Sequence, residues 1–307
     1  MDKLPAGALV VGAADRLYVA AAVKHPTLLD RQRVRLSARR SMIPSMSLYF
    51  ERLGTGQPLL MVHGLGANLR TWDPLLSALR DVHELILIDL PGHGKSAPLS
   101  GRQTFDAYAD ALVSFVQSQG LLQADLVGSS VGGRLVLELA RQGIGRHCVA
   151  LDPGGFWHGW ETRWFHWTLA ASIRLVRLLR PFHPALSRHT VTRTMLLAQL
   201  SAHPWRLQPD LVAGELQSLV ATPVFDAMLR ELARGPLQQG SALTPGRLTI
   251  GWGRQDHLLL PRQARRASAA FPSARLHWFD RCGHFPHWDQ PADTARVILE
   301  TLSGDAG

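Results

Sequence analysis

Gly128-Ser129-Ser130-Val131-Gly132-Gly133 is the stretch whose reading decides the fold. An apolar run from Asp125 to Gly128 leads into it, and a helix-periodic segment from Val131 to Gln142 leads out. The sequence therefore predicts strand, tight turn and helix, with Gly-x-Ser-x-Gly centred on Ser130. A nucleophile on such a turn sits in strained backbone, and the residues two positions to either side must be small to avoid collision. Ser129 fails that condition, because Val127 and Val131 flank it at that spacing. The plain alternative is a glycine-rich turn in which Ser130 merely caps a helix.

Outward from this turn, short apolar runs alternate with amphipathic stretches. Ser47 to Leu53 alternates like a strand. Pro58 to Val62 and Glu84 to Leu90 are continuous apolar runs suited to buried parallel strands. Thr104 to Gln119 has helical period, His147 to Asp152 reads as a strand, and Arg247 to Trp252 and Ala274 to Phe279 read as two more. Pro291 to Leu302 reads as a closing helix. Strands alternating with helices predict an α/β fold: a mostly parallel central sheet with helices on both faces. Residues 153–240 hold no strand pattern but five of the nine tryptophans, so they are expected to be a helical insertion. The expected organisation is an N-terminal extension at 1–45, a core from 46–152 and 241–307, and the insertion at 153–240.

A serine needs a base, and the base an acid to orient it. Asp256 follows the strand ending Ile250-Gly251-Trp252-Gly253. His284 follows the last strand, within Cys282-Gly283-His284-Phe285. Both positions fall at the carboxyl edge of the sheet, as Ser130 does, where open α/β sheets place ligands. Asp152, also at a strand end, is a substitute acid, with Asp256 favoured. Taken alone, Asp256 could be a loop carboxylate pairing with Arg254, and His284 a loop histidine. Met61-Val62-His63-Gly64-Leu65-Gly66-Ala67-Asn68 brings a glycine-rich loop to the same edge. The backbone N–H groups of Leu65 and Val131 are the expected oxyanion hole, and His63 is read as a brace of the loop.

On these residues the chain resembles the α/β-hydrolase superfamily over roughly residues 46–303. The resemblance is carried by His63 to Asn68, Asp89-Leu90-Pro91-Gly92-His93-Gly94-Lys95-Ser96, the Ser130 turn, Gly253-Arg254-Gln255-Asp256, and Gly283-His284. It implies a serine hydrolase, esterase- or lipase-like, with 153–240 as a cap over the active site. Ser130, Asp256 and His284 are the implied catalytic triad, acting through an acyl-enzyme on a carboxylic ester. Alternatives on the same triad are C–C bond, thioester or lactone hydrolysis and perhydrolysis; a rival of another class is a non-catalytic ligand-binding protein. Relatives that use aspartate or cysteine as nucleophile are excluded by the serine.

No cofactor is called for, and no metal, since the fourteen histidines include no H-E-x-x-H or comparable spacing. Gly94-Lys95-Ser96 mimics a phosphate loop, but Asp89 stands where its first glycine belongs. Two cysteines, Cys148 and Cys282, make no disulfide framework. The expected ligand is a small hydrophobic ester, with Trp157, Trp160 and Trp164 of the insertion as candidate pocket residues and no nucleic acid partner.

With 33 basic against 24 acidic residues the chain carries +9, yet only Lys3, Lys24 and Lys95 are lysines. The excess is regional. Residues 1–45 hold eight basic and three acidic groups and residues 153–240 nine and five, while the remainder balances. The basicity therefore belongs to the extension and the insertion and not to the core, which disfavours a nucleic-acid enzyme. The extension and insertion become the surfaces that meet a membrane, a partner or an anionic substrate. Ile173, Leu175, Val176, Leu178 and Leu179 lie among Arg174, Arg177 and Arg180, a composition suited either to a membrane interface or to pocket lining with solvated arginines. The apolar run from Leu4 to Val23 is broken by Asp15 and Arg16, so neither a spanning helix nor a secretion signal is expected there. The sequence points to a cytoplasmic protein that admits peripheral membrane contact through the extension or the cap.

Overall fold

The computed structural model describes residues 47–240 and 246–303. The N-terminal extension and its basic segment, Arg31 to Arg40, lie outside the described residues. Among the described residues seven strands form one sheet: β1 (Phe50–Leu53), β2 (Gln57–Val62), β3 (His83–Ile88), β4 (Asp125–Ser129), β5 (Cys148–Leu151), β6 (Leu248–Gly253) and β7 (Arg275–Phe279). Their order is β1-β3-β2-β4-β5-β6-β7. Only β1 runs antiparallel to its neighbour, and register fixes the rest: Leu60 stands beside Ile86 and Leu126, Leu126 beside Cys148, and Cys148 beside Leu248. The central strands are apolar on both faces because both faces are covered.

Among the described residues eleven α-helices alternate with or follow these strands: α1 (Asp73–Leu79), α2 (Phe105–Ser118), α3 (Val131–Arg141), α4 (Trp160–Leu178), α5 (His183–Arg188), α6 (Thr190–Leu197), α7 (Pro209–Ala221), α8 (Phe225–Arg234), α9 (Arg262–Ala270), α10 (Pro286–Asp289) and α11 (Pro291–Leu302). The doubly covered parallel sheet expected from the sequence is present. On one face, Met61, Val127 and Val149 of the sheet meet Trp72, Leu75 and Ile298 of the covering helices. Each such fully buried apolar side chain contributes about 1.5–3 kcal/mol.

Helices α4 to α8 all fall between β5 and β6. They have an apolar cluster of their own, in which Val176, Leu197, Val212 and Leu216 meet Phe285 and Trp288 from the core. Glu161 ties the start of α4 to α9: it is buried, pairs with Arg262 at 2.6 Å and also with Arg266. Among the described residues no helix is long and apolar enough to cross a membrane.

Candidate active site

Strand β4 ends at Ser129 and α3 begins at Val131, so Ser130 alone makes the turn. Its backbone lies at φ +57°, ψ −115°, a region costly for a residue with a side chain. The surroundings enforce it. The Ser130 N–H donates to Leu151 O at 2.9 Å, and its carbonyl accepts from Arg134 N at 3.0 Å and Gly154 N at 3.2 Å. The two motif glycines are required by close approach. A Cβ on Gly128 would stand 2.2 Å from Gly132 O, and one on Gly132 would stand 2.0 Å from Val62 O.

Asp256 and His284 come from loops after β6 and β7 and are both essentially inaccessible. Asp256 Oδ2 lies 2.7 Å from His284 Nδ1, while Asp256 Oδ1 accepts from the Leu258 and Leu259 N–H groups, each at 2.8 Å. A carboxylate accepting on both oxygens places the imidazole proton on Nδ1 and leaves Nε2 as an acceptor. Among the described residues Nε2 has no partner, and His284 and Ser130 line the same pocket without a direct hydrogen bond between them. Such contacts commonly tighten only when substrate binds.

The His284 loop is held from the insertion. Its backbone N–H donates to Leu200 O at 2.9 Å. Asp289, unremarked in the sequence, gathers Ser201 Oγ at 2.5 Å, Ala202 N at 2.7 Å and Gly283 N at 2.7 Å. Trp164 Nε1 reaches from α4 to His257 O at 2.9 Å, one residue beyond Asp256.

Asp152 is fully buried behind this pair, with its Oδ1 accepting from Gly253 N at 2.9 Å. Burial, and then the negative charge of Asp256, push its carboxyl well above the usual carboxylate range. Ligand atoms of Asp152, Asp256 and His284 lie within 4.8 Å of one another, the one such cluster able to hold a metal among the described residues. Four of its six donor atoms are taken by amides and by the Asp256–His284 bond, while Asp152 Oδ2 and His284 Nε2 have no partner among the described residues.

Leu65 and Val131 both line the pocket. Val131 is the first residue of α3, so its N–H has no intrahelical acceptor, and the Leu65 N–H has no partner among the described residues. His63 is buried behind them. It receives Leu90 N on Nε2 at 3.0 Å and sits 2.7 Å from Gly64 O through Nδ1, and burial lowers its pKa to about 4. It stays neutral and ties the loops after β2 and β3 together. Asp89 does similar work, accepting from Leu69 N and Lys95 N at 2.8 Å each.

The pocket has a volume of about 40 Å³ and is lined mainly by Phe165, Leu169, Leu200, Leu219, Phe285 and Trp288 around Ser130 and His284. The tryptophans expected here are elsewhere. Trp157 is buried and stacks on Phe165 at 4.8 Å, Trp160 is exposed beneath the Arg262 guanidinium, and Trp164 makes its bond to His257. Their spacing puts Trp160 and Trp164 on the side of α4 opposite Phe165 and Leu169. One polar lining residue was not anticipated: Glu215 of α7, whose pKa is pushed up to about 8 by burial, with a further push from the Asp73 charge. It also lines an open cleft with Asn68, Arg70, Asp73 and Asp210 on the other side. No sequence signal distinguished it from other helical glutamates.

Residues 59–297 match the model of the alpha/beta hydrolase family. The chain is 26% identical over 263 residues to the dihydrolipoyllysine-residue acetyltransferase component of an acetoin cleaving system from Cupriavidus necator, covering 83% of this chain and 66% of that one. It is 26% identical over 268 residues to a 2-hydroxy-6-oxononadienedioate/2-hydroxy-6-oxononatrienedioate hydrolase from a Pseudomonas species, covering 84% and 92%. Among solved structures, a thermophilic esterase from Thermogutta terrifontis superposes with a TM-score of 0.66 at 23% identity, covering 84% and 93%.

Proposed function

The chain belongs to the alpha/beta hydrolase family, and on that footing we propose that it is a serine hydrolase cleaving a small, hydrophobic carboxylic ester. In this reading Ser130 is the nucleophile, His284 the base, Asp256 its orienting acid, and the Leu65 and Val131 amides the oxyanion hole. His284 Nε2 takes the Ser130 proton as Oγ attacks the ester carbonyl, and Asp256 stabilises the imidazolium. The tetrahedral oxyanion is met by the two amides. His284 returns the proton to the departing alcohol, and water then cleaves the acyl-enzyme by the same route.

The observation that carries the reading is the buried 2.7 Å Asp256–His284 bond, which leaves an unpartnered Nε2 in the pocket of a strained Ser130. We further assign residues 46–152 and 241–307 to the catalytic core, 153–240 to a cap that roofs it, and 1–45 to a separate extension.

Ester hydrolysis is favoured over carbon–carbon cleavage of a dicarboxylate by the lining of the pocket. Among the described residues its lining contains no lysine or arginine to pair with a carboxylate, and its one acid is Glu215. Purified protein should hydrolyse short p-nitrophenyl esters and become labelled by a fluorophosphonate. Ser130→Ala should lose both while keeping its thermal transition. Turnover surviving in Ser130→Ala, or preference for a dienedioate over the esters, would overturn the assignment.

A further inference from the structure

Helix α4 has two apolar faces: one packs inward, and the other is exposed, its first turn held by Trp160 against Arg262 and by Trp164 Nε1 on His257 O. Phe165, Ile173 and Val176 are buried, and Phe165 and Leu169 line the pocket. The opposite face carries Trp160, Trp164, Trp167, Ala171, Leu175 and Leu178, spaced three or four residues apart and so aligned along one side of the helix. All six are exposed, Trp167 at 61% and Leu178 at 76%. The patch continues onto Phe182 and, in α6, onto Val191 and Met195. Of the twelve large hydrophobic side chains exposed among the described residues, nine lie between Trp160 and Trp205.

Charge on this segment has one sign. Residues 162–209 contain seven arginines and no aspartate, glutamate or lysine. Arg163, Arg174, Arg180, Arg188 and Arg206 are exposed and make no ion pair among the described residues. Arginines of the core are used differently: Arg52, Arg70, Arg141, Arg146, Arg275 and Arg296 are each paired with a carboxylate. A row of indoles and leucines flanked by unpaired guanidinium groups matches a lipid–water boundary, where indole rings settle at headgroup depth and cations meet anionic lipid. A second copy of the chain suits the face poorly, because a two-fold contact would bring like charges together.

We propose that the outer face of α4, with Phe182 and the exposed side of α6, docks this protein on an anionic lipid surface. The inner face of the same helix roofs the candidate pocket, so a docked molecule holds that roof against the bilayer where lipophilic esters dissolve. The docking face itself does not depend on which bond the pocket cleaves.

Vesicle flotation of the full chain tests this, using phosphatidylcholine alone and phosphatidylcholine with phosphatidylglycerol. Wild type should float with the anionic vesicles, more weakly in high salt, and poorly with the neutral ones. Trp167→Ser/Leu175→Ser/Leu178→Ser should reduce the bound fraction by about tenfold or more while leaving turnover of a soluble short-chain ester unchanged. Arg163→Gln/Arg174→Gln/Arg180→Gln should abolish the preference for anionic over neutral lipid. Wild type remaining at the bottom of both gradients would overturn the proposal, as would a triple serine variant that floats like wild type, which would place binding elsewhere on the chain. A serine variant that converts a dimer to a monomer while wild type does not float would assign the face to self-association instead. Loss of ester turnover alone, with flotation intact, would refute the hydrolase reading and leave the docking face standing.

Discussion

Replacing Asp256 by alanine tests how two buried carboxyl groups divide their work. The change removes the acceptor of His284 Nδ1–H and strands the Leu258 and Leu259 amides, each at a cost of about 1–3 kcal/mol. It also removes a negative charge within 4.8 Å of Asp152. Burial first, and then that charge, disfavour the ionised form of Asp152, so the substitution removes the second of the two causes and leaves the first. Loss of the charge should make Asp152 easier to ionise and let it accept from the histidine in part.

Asp256→Ala should therefore keep more activity than Asp256→Asn, and that activity should rise with pH as Asp152 ionises. Asp256→Asn keeps a neutral group against His284 and should fall by about 10⁴, as a wrong-tautomer change does in serine protease triads. Asp152→Asn/Asp256→Ala should drop to the level of Asp256→Asn. The assay is kcat/KM on p-nitrophenyl butyrate across neutral pH, with circular dichroism to confirm folding. A flat pH profile in Asp256→Ala, or a double variant equal to it, would refute the reasoning.

Three further changes probe other parts of the structure. Gly132→Ala puts a methyl group 2.0 Å from Val62 O, so backbone must shift; the expected cost is about 1–3 kcal/mol of stability and at least tenfold in kcat, and an unaltered melting curve would contradict the geometry. Asp289→Asn turns an amide NH2 toward donors that now find carboxylate, and kcat should fall with KM little changed because His284 is displaced, which rescue by Asp289→Glu would support. Glu215 has a folded pKa of about 8 against an unfolded 4.5, so the native state binds the extra proton between those values and stability drops as pH rises through that window. Glu215→Gln removes the slope and should gain several degrees in Tm at pH 8 but little at pH 4.5; equal gains at both would show that the glutamate is ionised in the native protein.

Much of the core was legible because its constraints are local. The Gly128–Gly132 spacing follows from chain packing at a single turn, and each strand announced itself as a short apolar run. Strand ends then placed Asp256 and His284 at one edge without any knowledge of three-dimensional distance. The insertion was less legible. Helical period shows that Trp160, Trp164 and Trp167 share a side, but not whether that side faces pocket or solvent. Among the residues from Ile173 to Leu178 the same ambiguity split the set: Ile173 and Val176 turn inward, Leu175 and Leu178 outward. Asp289 was invisible because it joins Gly283 to Ser201 and Ala202, nearly ninety residues upstream, and Glu215 because its place in the pocket of Ser130 and His284 is set by the fold.

Leu200 and Asp289 carry a consequence for engineering. Inserted segments of this kind invite exchange between relatives as a means of changing substrate range, on the assumption that the catalytic frame is indifferent to what covers it. Here Leu200 O holds the His284 amide, and Ser201 and Ala202 share Asp289 with Gly283. Two of these contacts use main-chain atoms, so a transplant whose backbone takes another path at 200–202, or that lacks the Ser201 hydroxyl, would arrive with a new pocket and a displaced His284 loop. Splice points placed to retain the path and hydroxyl of that tripeptide would let the pocket vary while the His284 loop stays in register.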